Sequence, residues 1–169
     1  MSFDSQKLLD KTGWALLTLL QENARLSFAE LGKRVGLTAP GVADRIHRME
    51  DAGIIRRYHV DIDLTKVGLP MNAIIRIGGC SATAKFAEMV KEMVEVQECH
   101  RITGSDCFIL RVAVASTAHL EALIDLFGPY GQVTTSLVLS TPVADRIVGP
   151  EILETVTGFV TTSPSGDEG

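Results

Sequence analysis

Cysteine is scarce in this chain, and the few cysteines do not stand in pairs. The 169 residues contain three of them, an odd number, and no two are spaced as CxxC. This argues against a disulfide framework and against a zinc site, and it suits a reducing cytoplasm. Apolar runs of about 20 residues, which a transmembrane helix needs, are missing as well. Residues 1–11 lack the apolar core of a secretory signal, so the sequence predicts a cytoplasmic protein without a membrane partner.

Residue patterns that carry catalysis are missing too. The chain has no serine–histidine–aspartate arrangement, no phosphate-binding glycine loop and no metal-ligand spacing. The sequence therefore predicts no enzyme, no cofactor and no metal.

A strong basic surplus is absent, since the net charge is −5. Residues 1–62 hold nine lysines and arginines against eight acids, whereas residues 63–169 hold seven against thirteen. Any DNA affinity must come from clustered charge and from several copies of the module.

Residues 27–58 have the pattern of a helix-turn-helix, two short helices joined by a tight turn. Ser27 can cap the first helix, and Glu30 stands at the reciprocal position of a capping box. Thr38 can cap the second helix, which carries apolar side chains at i, i+4 and i+7. These side chains are Val42, Ile46 and Met49. One side of this helix can therefore be buried while the other offers polar atoms to a DNA groove.

Three further features complete the predicted N-terminal domain, residues 1–62. A helix over residues 7–23 supplies the third wall of its core, and Gly13 within that helix costs roughly 1 kcal/mol relative to alanine. Leu37 is expected to dip into the core from the turn. Residues 54–60 are expected to form the strand of a wing, with an edge free to pair with a partner.

The candidates for contact with double-stranded DNA surround the second helix of the motif. Arg45 and Arg48 lie off the apolar stripe and can reach phosphate or guanine. Asp44 can pair locally or accept from a cytosine amino group. The helix N-termini can bind phosphates through backbone N–H groups. The full set is Ser27, Thr38, Ala39, Pro40, Gly41, Asp44, Arg45 and Arg48. The alternative is an ordinary helical hairpin with a solvated charged face.

The second half has the order β-α-β-β-α-β, the ferredoxin-like arrangement. One helix is expected to be capped by Ser81 or Thr83 and to run to Val94, and the other to be capped by Ser116. The predicted fold class is α+β: a winged helix-turn-helix domain, a linker, a ferredoxin-like domain for effector binding and oligomerisation, and a partly disordered tail. Their bounds are residues 1–62, 63–70, 71–147 and 148–169.

The predicted sheet has a face without helices, and this face needs a cover. Ile75, Ile77, Leu137 and Leu139 are expected to lie there and are too apolar to be left in water. A second copy of the domain is the economical cover, so the sequence predicts at least a dimer.

An ordered series of residues across both halves resembles the Lrp/AsnC family of transcription regulators. The matching residues are Leu9-Asp10, Leu16-Leu17, Gly36-Leu37-Thr38, Val42, Arg45-Ile46, Met49-Glu50, Gly53-Ile54-Ile55, Gly68, Cys99, Thr103-Gly104-Ser105-Asp106, Leu110 and Thr134-Thr135-Ser136. The resemblance implies a sequence-specific DNA-binding protein whose C-terminal domain binds small effectors, commonly amino acids, between subunits. It also implies dimers that assemble further, often into octamers.

Two positions depart from the family pattern. Gly13 stands where the family usually has an acidic residue. Many members carry Gly-x-x-Asp at the turn between the second and third strands, whereas here the acid comes one position earlier, as Asp106, with Cys107 behind it.

The effector candidates combine one carboxylate with a set of N–H and O–H groups. Asp106 can accept from the ammonium of an amino acid, and the backbone N–H groups of the glycine turn can bind its carboxylate. The full set is Thr103, Gly104, Ser105, Asp106, Cys107, Thr134, Thr135 and Ser136. The alternative is that Asp106 only fixes a hairpin turn.

Two other function classes remain open from the sequence. Siroheme decarboxylases share a similar two-domain layout, and His100 or His119 would then act as an acid or cation. The basic helix argues against this enzyme. The other class is an effector-sensing oligomer that does not bind DNA.

Overall fold

A computed structural model describes residues 7–153, and its contacts divide the chain into two units. One unit comprises Met1–Val60 with Val143–Gly169, and the other comprises Asp61–Pro142. The start of the predicted tail thus belongs to the first unit. Gln21 fixes it there, because its amide donates to the carbonyl of Val148 at 3.0 Å and accepts from the N–H of Val148 at 2.9 Å. The predicted disorder at the end of the tail lies outside the described residues.

Three helices of the first unit surround a small apolar core. They are α1 (Lys11–Glu22), α2 (Phe28–Val35) and α3 (Ala39–Asp51). The buried cluster joins side chains of all three helices and consists of Leu16, Leu31, Val42 and Ile46. Met49 is also fully buried. The predicted helix-turn-helix and its core-facing stripe are therefore confirmed.

The first helix is shorter than predicted, because the chain turns at Asp10. Asp10 is the N-cap of α1, and its carboxylate accepts from the N–H of Gly13 at 2.8 Å. Residues 7 and 8 form a separate helical turn. Gly13 is buried, and a Cβ there would overlap the carbonyl oxygen of Leu8. The glycine therefore has a packing role: it lets this preceding turn lie directly against α1.

The prediction that Leu37 dips into the core is wrong, since the residue is 37% exposed. Its backbone makes the contact instead. The N–H of Leu37 donates to the carbonyl of Gly32 at 3.0 Å, and its own carbonyl lies where a Cβ of Gly32 would be. Gly36 reverses the chain with a φ of 73°, the left-handed conformation that ends a helix.

The predicted wing strand is absent, because residues 54–60 form no strand in the structure. The N–H groups of Ile54 and Ile55 turn back and donate to the carbonyl of Met49, at 2.9 and 3.1 Å. Val60 is 81% exposed. A strand needs a hydrogen-bonding neighbour, and within residues 7–153 the structure gives this segment none.

The second unit is a four-stranded antiparallel sheet with two helices, which confirms the ferredoxin-like prediction. The elements are β1 (Met71–Gly78), α4 (Thr83–Lys91), β2 (Val96–Arg101), β3 (Asp106–Val114), α5 (Thr117–Phe127), a 3₁₀ turn (Gly128–Tyr130) and β4 (Gln132–Leu137). The strand order is β2-β3-β1-β4. β1 therefore pairs with both β3 and β4, and it lies at the centre of the sheet.

The prediction of an apolar open sheet face is wrong. Ile75 and Ile77 are fully buried and pack with Phe86 and Phe127 in the core between sheet and helices. Because successive side chains of a strand alternate, the other face carries the intervening residues of each strand. These include Ile74, Arg76, Glu98, His100, Ile109, Arg111, Thr134 and Ser136. Leu139, also predicted on that face, lies beyond β4 and is 95% exposed. The open face is therefore largely polar and charged.

Of the two helix caps predicted in the second unit, one is confirmed and the other is wrong. Ser116 caps α5, with its hydroxyl accepting from the N–H of His119 at 3.2 Å. α4 has neither Ser81 nor Thr83 as its cap. Its N-cap is Ala82, in the left-handed conformation with a φ of 52° and without a side-chain hydrogen bond. Ser81 is used elsewhere, since its N–H donates to the carbonyl of Tyr130 at 3.0 Å.

α4 also ends earlier than predicted, at Lys91 rather than near Val94. The next turn has 3₁₀-like hydrogen bonds, among them the N–H of Met93 to the carbonyl of Val90 at 3.3 Å. Val94 is left 85% exposed.

Candidate functional site

α3 offers one polar face to solvent. Its N-cap is Thr38, whose hydroxyl accepts from the N–H of Gly41 at 3.3 Å, and Pro40 lies in its first turn. The buried stripe holds the opposite side against the core. The exposed side chains of this helix start and face are Thr38, Pro40, Asp44, His47 and Arg48. No acidic residue lies in the first turn of α3, so the positive end of its dipole is open to a phosphate.

The helix start at Ser27 differs in this respect from that of α3. Glu30 completes the predicted capping box, accepting from the N–H of Ser27 at 2.8 Å and from its hydroxyl at 2.6 Å. These hydrogen bonds hold the pKa of Glu30 below its usual range. A carboxylate therefore already lies at this helix start, which makes Ser27 the weaker phosphate site of the two.

The two arginines of α3 have different environments. Arg45 donates to both carboxylate oxygens of Asp10, at 2.8 and 2.7 Å, and its side chain is largely covered. Arg48 lies 3.8 Å from Asp44 in an i,i+4 pair, with its side chain 58% exposed. The Asp44 pair follows one of the two predicted alternatives for that residue. Arg48 is thus available to DNA, whereas Arg45 links α3 to the start of α1.

The effector candidates of the glycine turn lie at one end of the sheet. The N–H of Ile102 donates to the carbonyl of Cys107 at 2.9 Å and closes a hairpin. Gly104 has a φ of 118°, so this position needs glycine. Asp106 begins β3 and faces Arg76 of β1, with 3.5 Å between a carboxylate oxygen and a guanidinium nitrogen.

The candidates on β4 divide between the two sheet faces. Thr134 pairs with Arg76 and Ser136 with Ile74, so both lie on the open face. Thr135 pairs with Ile75 and points toward the core, where its hydroxyl is buried without a hydrogen-bond partner among the described residues. Strand alternation therefore removes Thr135 from the predicted effector set.

Arg76 is a candidate site residue that was not predicted from the sequence. It connects the two predicted segments, since its guanidinium faces Asp106 on one side and its backbone pairs with Thr134 on the other. The available signal was a single charged side chain within the apolar strand sequence Ile-Ile-Arg-Ile. A residue that is charged within such a strand points to the open face of a sheet.

The structure also joins Cys80 and Cys107 in a disulfide, with 6.2 Å between their Cα atoms. The sequence argument against a disulfide is therefore wrong for this pair. The two cysteines are 27 residues apart and meet only because β1 and β3 pair along their length. Cys99 is free and half-buried, and burial raises the pKa of its thiol.

The histidines considered for an enzyme each face a glutamate. His100 lies 3.4 Å from Glu98 on the sheet, and His119 lies 3.1 Å from Glu95. Within residues 7–153, no cluster of three or more His, Cys, Asp or Glu side chains is arranged to hold a metal ion. Across that same range, no helix has both the length and the apolar character needed to span a membrane.

Comparison with known families assigns the chain to one of them. The family model for the AsnC-type helix-turn-helix domain matches residues 9–50, and that for the Lrp/AsnC ligand binding domain matches residues 72–148. The chain belongs to the Lrp/AsnC family. It is 30% identical over 133 residues to the HTH-type transcriptional regulator LrpC of Bacillus subtilis, covering 78% of this chain and 92% of that protein. It is 37% identical over 135 residues to YezC, an uncharacterized HTH-type transcriptional regulator of the same organism, covering 79% and 95%.

Solved structures of Lrp/AsnC proteins share the fold. B. subtilis LrpC matches with a TM-score of 0.76 at 28% identity, covering 80% of this chain and 98% of that chain. A Neisseria meningitidis transcriptional regulator, solved in complex with L-methionine, matches with a TM-score of 0.77 at 30% identity, covering 86% and 99%. The relatives are named as transcription regulators, and DNA binding follows from the helix-turn-helix that they share with this chain.

Proposed function

We propose that this Lrp/AsnC protein is a sequence-specific DNA-binding regulator that responds to an amino acid or a close metabolite. The proposal of DNA binding rests on the two different sides of α3, one buried and one exposed. Val42, Ile46 and Met49 are buried, and Arg48 with the Thr38 helix start is exposed on the other side. This arrangement suits a helix that enters the major groove, with its N-terminal end at the phosphates.

The DNA sequence is read mostly through shape in this proposal. The start of α3 is Thr-Ala-Pro-Gly, which has few groups that can contact a base edge. Arg48 is the one arginine of α3 without a close bidentate partner in the described chain, and it contacts phosphate or guanine. Asp10 holds Arg45, whose role is to orient the helix. The flexibility of the DNA then contributes much of the specificity.

The effector part rests on the opposite charges of Asp106 and Arg76. An α-amino acid carries an ammonium and a carboxylate on the same carbon atom, so a carboxylate 3.5 Å from a guanidinium offers a neighbouring partner of opposite sign to each. Gly104 and Ser105 are exposed residues that add backbone N–H groups, and Thr134 adds a hydroxyl. L-methionine in the complex of the Neisseria relative supports this ligand class.

The protein acts as a homo-oligomer in this proposal, a dimer at least and an octamer by family resemblance. Residues 54–60 have strand-like side chains but form no strand in the described chain, and the same segment of a second copy can supply the missing strand neighbour. A DNA-binding function places the protein in the cytoplasm. It requires no cofactor and no catalytic step.

Thermal shift and gel shift test the two parts separately. The full chain is screened against the twenty amino acids, and one or more should raise the unfolding temperature. A DNA fragment from upstream of the protein's own gene should be retarded in a gel at lower protein concentration than a scrambled fragment. If both fragments require the same concentration, the specific-regulator proposal fails. If no amino acid stabilises the chain, the effector proposal fails.

A further inference from the structure

Cys80 and Cys107 bracket the position of Asp106. Cys107 directly follows Asp106 in β3, and Cys80 lies two residues after Gly78, which pairs with Asp106 across β1 and β3. The Cα atoms of the two cysteines are 6.2 Å apart, within the range in which a disulfide closes without backbone movement. The N–H of Cys80 also lies 3.3 Å from the sulfur of Cys107. The pair thus connects the exit of β1 to the start of β3.

The segment that carries Cys80 is in close contact with the carboxylate of Asp106. A Cβ on Gly78 would lie 3.1 Å from a carboxylate oxygen of Asp106. Beyond it, Gly79 and Ala82 both have left-handed φ values, 58° and 52°. For Ala82 this conformation costs energy, so the surroundings must hold the segment in place. A covalent link from Cys80 to Cys107 is one such constraint.

We propose that Cys80 and Cys107 form a reversible thiol–disulfide pair that controls the mobility of the turn at residues 103–107. The proposal rests on the proposed function in one respect. A DNA-binding regulator works where thiols are kept reduced, and disulfides there are transient or redox-sensing. The chemical partner is a low-molecular-weight disulfide such as oxidised glutathione.

The exchange balances in two steps. One cysteine thiolate attacks a sulfur of the small disulfide, which forms a mixed disulfide and releases one small thiolate. The second cysteine thiolate attacks the protein sulfur of that mixed disulfide, which closes the Cys80–Cys107 bond and releases the second small thiolate. The protein loses two electrons and two protons, and the small disulfide gains them as two thiols. Reduction reverses both steps.

Oxidation restricts the backbone on both sides of Asp106. A turn that is already ordered loses less conformational entropy when a ligand binds, so the oxidised protein binds its amino acid more tightly. The expected difference in affinity is about five-fold or more, the lower end of ordinary coupling between two sites.

The chemical test counts free thiols in the full chain across glutathione buffers from fully reduced to fully oxidised. The parent should change reversibly from three reactive thiols to one, since Cys99 remains. Cys99→Ser should change from two to none. Cys80→Ser should form no intramolecular disulfide, and any thiol that it loses in the oxidised buffers should appear as a protein–glutathione mixed disulfide, detected by its added mass. Three free thiols in every buffer, or one free thiol even under full reduction, would overturn the proposal.

The structural test compares hydrogen exchange of residues 103–107 in the two states, without ligand. Exchange should slow on oxidation in the parent and in Cys99→Ser and stay constant in Cys80→Ser. Equal exchange in both states of the parent would refute the control of the turn. The amino acid that stabilises the chain most should then bind the oxidised parent more tightly, and equal affinities would refute the coupling to the site. Thiol counts and exchange need no ligand, so failure of all amino acids to bind would overturn the effector function alone.

Discussion

Arg45 of α3 donates one hydrogen bond to each carboxylate oxygen of Asp10, the residue that caps α1. The distances of 2.8 and 2.7 Å describe a bidentate pair of planar groups. The same carboxylate accepts from the N–H of Gly13. One side chain therefore fixes both the start of α1 and the face of the helix proposed to bind DNA.

This pair should be measurable in a double-mutant cycle of stability. Asp10→Asn keeps a capping oxygen and removes the charge, and Arg45→Gln removes the guanidinium. The coupling should be about 1 kcal/mol, the upper end for a partly exposed ion pair because the contact is bidentate. Urea unfolding of the parent, both single variants and the double variant gives this value. A coupling indistinguishable from zero would mean that the pair does not hold α3.

Acid should weaken the parent more than Arg45→Gln. The pKa of Asp10 lies below its ordinary value of 3.8, first because Arg45 donates to it and then because Gly13 does. A carboxyl with a depressed folded pKa stabilises the fold above its unfolded pKa and loses this contribution as pH falls through its folded pKa. The unfolding free energies of parent and variant should therefore differ at neutral pH and converge as the pH falls below about 4. A constant difference across that range would contradict the assignment.

Arg48→Ala should weaken DNA binding without loss of stability. Arg48 is exposed, and among the described residues its salt bridge is a long surface pair with Asp44, so the fold does not depend on it. The affinity should fall by about 1–3 kcal/mol if Arg48 contacts a base, or the salt dependence should decrease by about one unit if it contacts a phosphate. Lys33→Ala, an exposed cation of α2, is the matched control. Equal effects of the two variants would exclude a special role for Arg48.

Arg76 and Asp106 should both be needed for the amino acid. Asp106→Asn removes the acceptor for the ammonium, and Arg76→Gln removes the donor for the carboxylate. Each should cost about 1.5–3 kcal/mol in ligand affinity, the range for hydrogen bonds to charged groups. Calorimetric titration with the most stabilising amino acid measures this loss. Unchanged affinity in Asp106→Asn would reduce Asp106 to a turn residue.

Thr135→Val should bind the amino acid as the parent does and should be at least as stable. The hydroxyl of Thr135 is buried without a partner among the described residues, and valine has the same shape without the unpaired group. The same titration and a thermal melt check both points. Weaker ligand binding would return Thr135 to the effector set.

Local patterns in the sequence predicted most of the fold. The caps at Ser27, Thr38 and Ser116 and the buried stripe of α3 depend on neighbours within one helix, and all are confirmed. The β-α-β-β-α-β succession of elements also predicted the ferredoxin-like sheet that the structure has.

Several of the errors concern features that depend on contacts far apart in the chain. Sequence alternation showed that Ile75 and Ile77 share a face of the sheet, but it could not show that the helices cover that face. The same limit explains why the sequence did not show that Thr135 points toward the core. Cys80 with Cys107, and Arg45 with Asp10, meet only after distant segments have packed. Residues 54–60 have strand-like side chains, but the described chain offers them no neighbour.

The most direct test measures fluorescence anisotropy of DNA from upstream of the protein's own gene as the full chain is added. Scrambled DNA of the same length is the control, and both titrations are repeated with the most stabilising amino acid. The upstream fragment should bind more tightly than the scrambled one, and the amino acid should change that affinity by about five-fold or more. Equal affinity for both fragments, with no response to the amino acid, would contradict an effector-responsive regulator that binds DNA through α3.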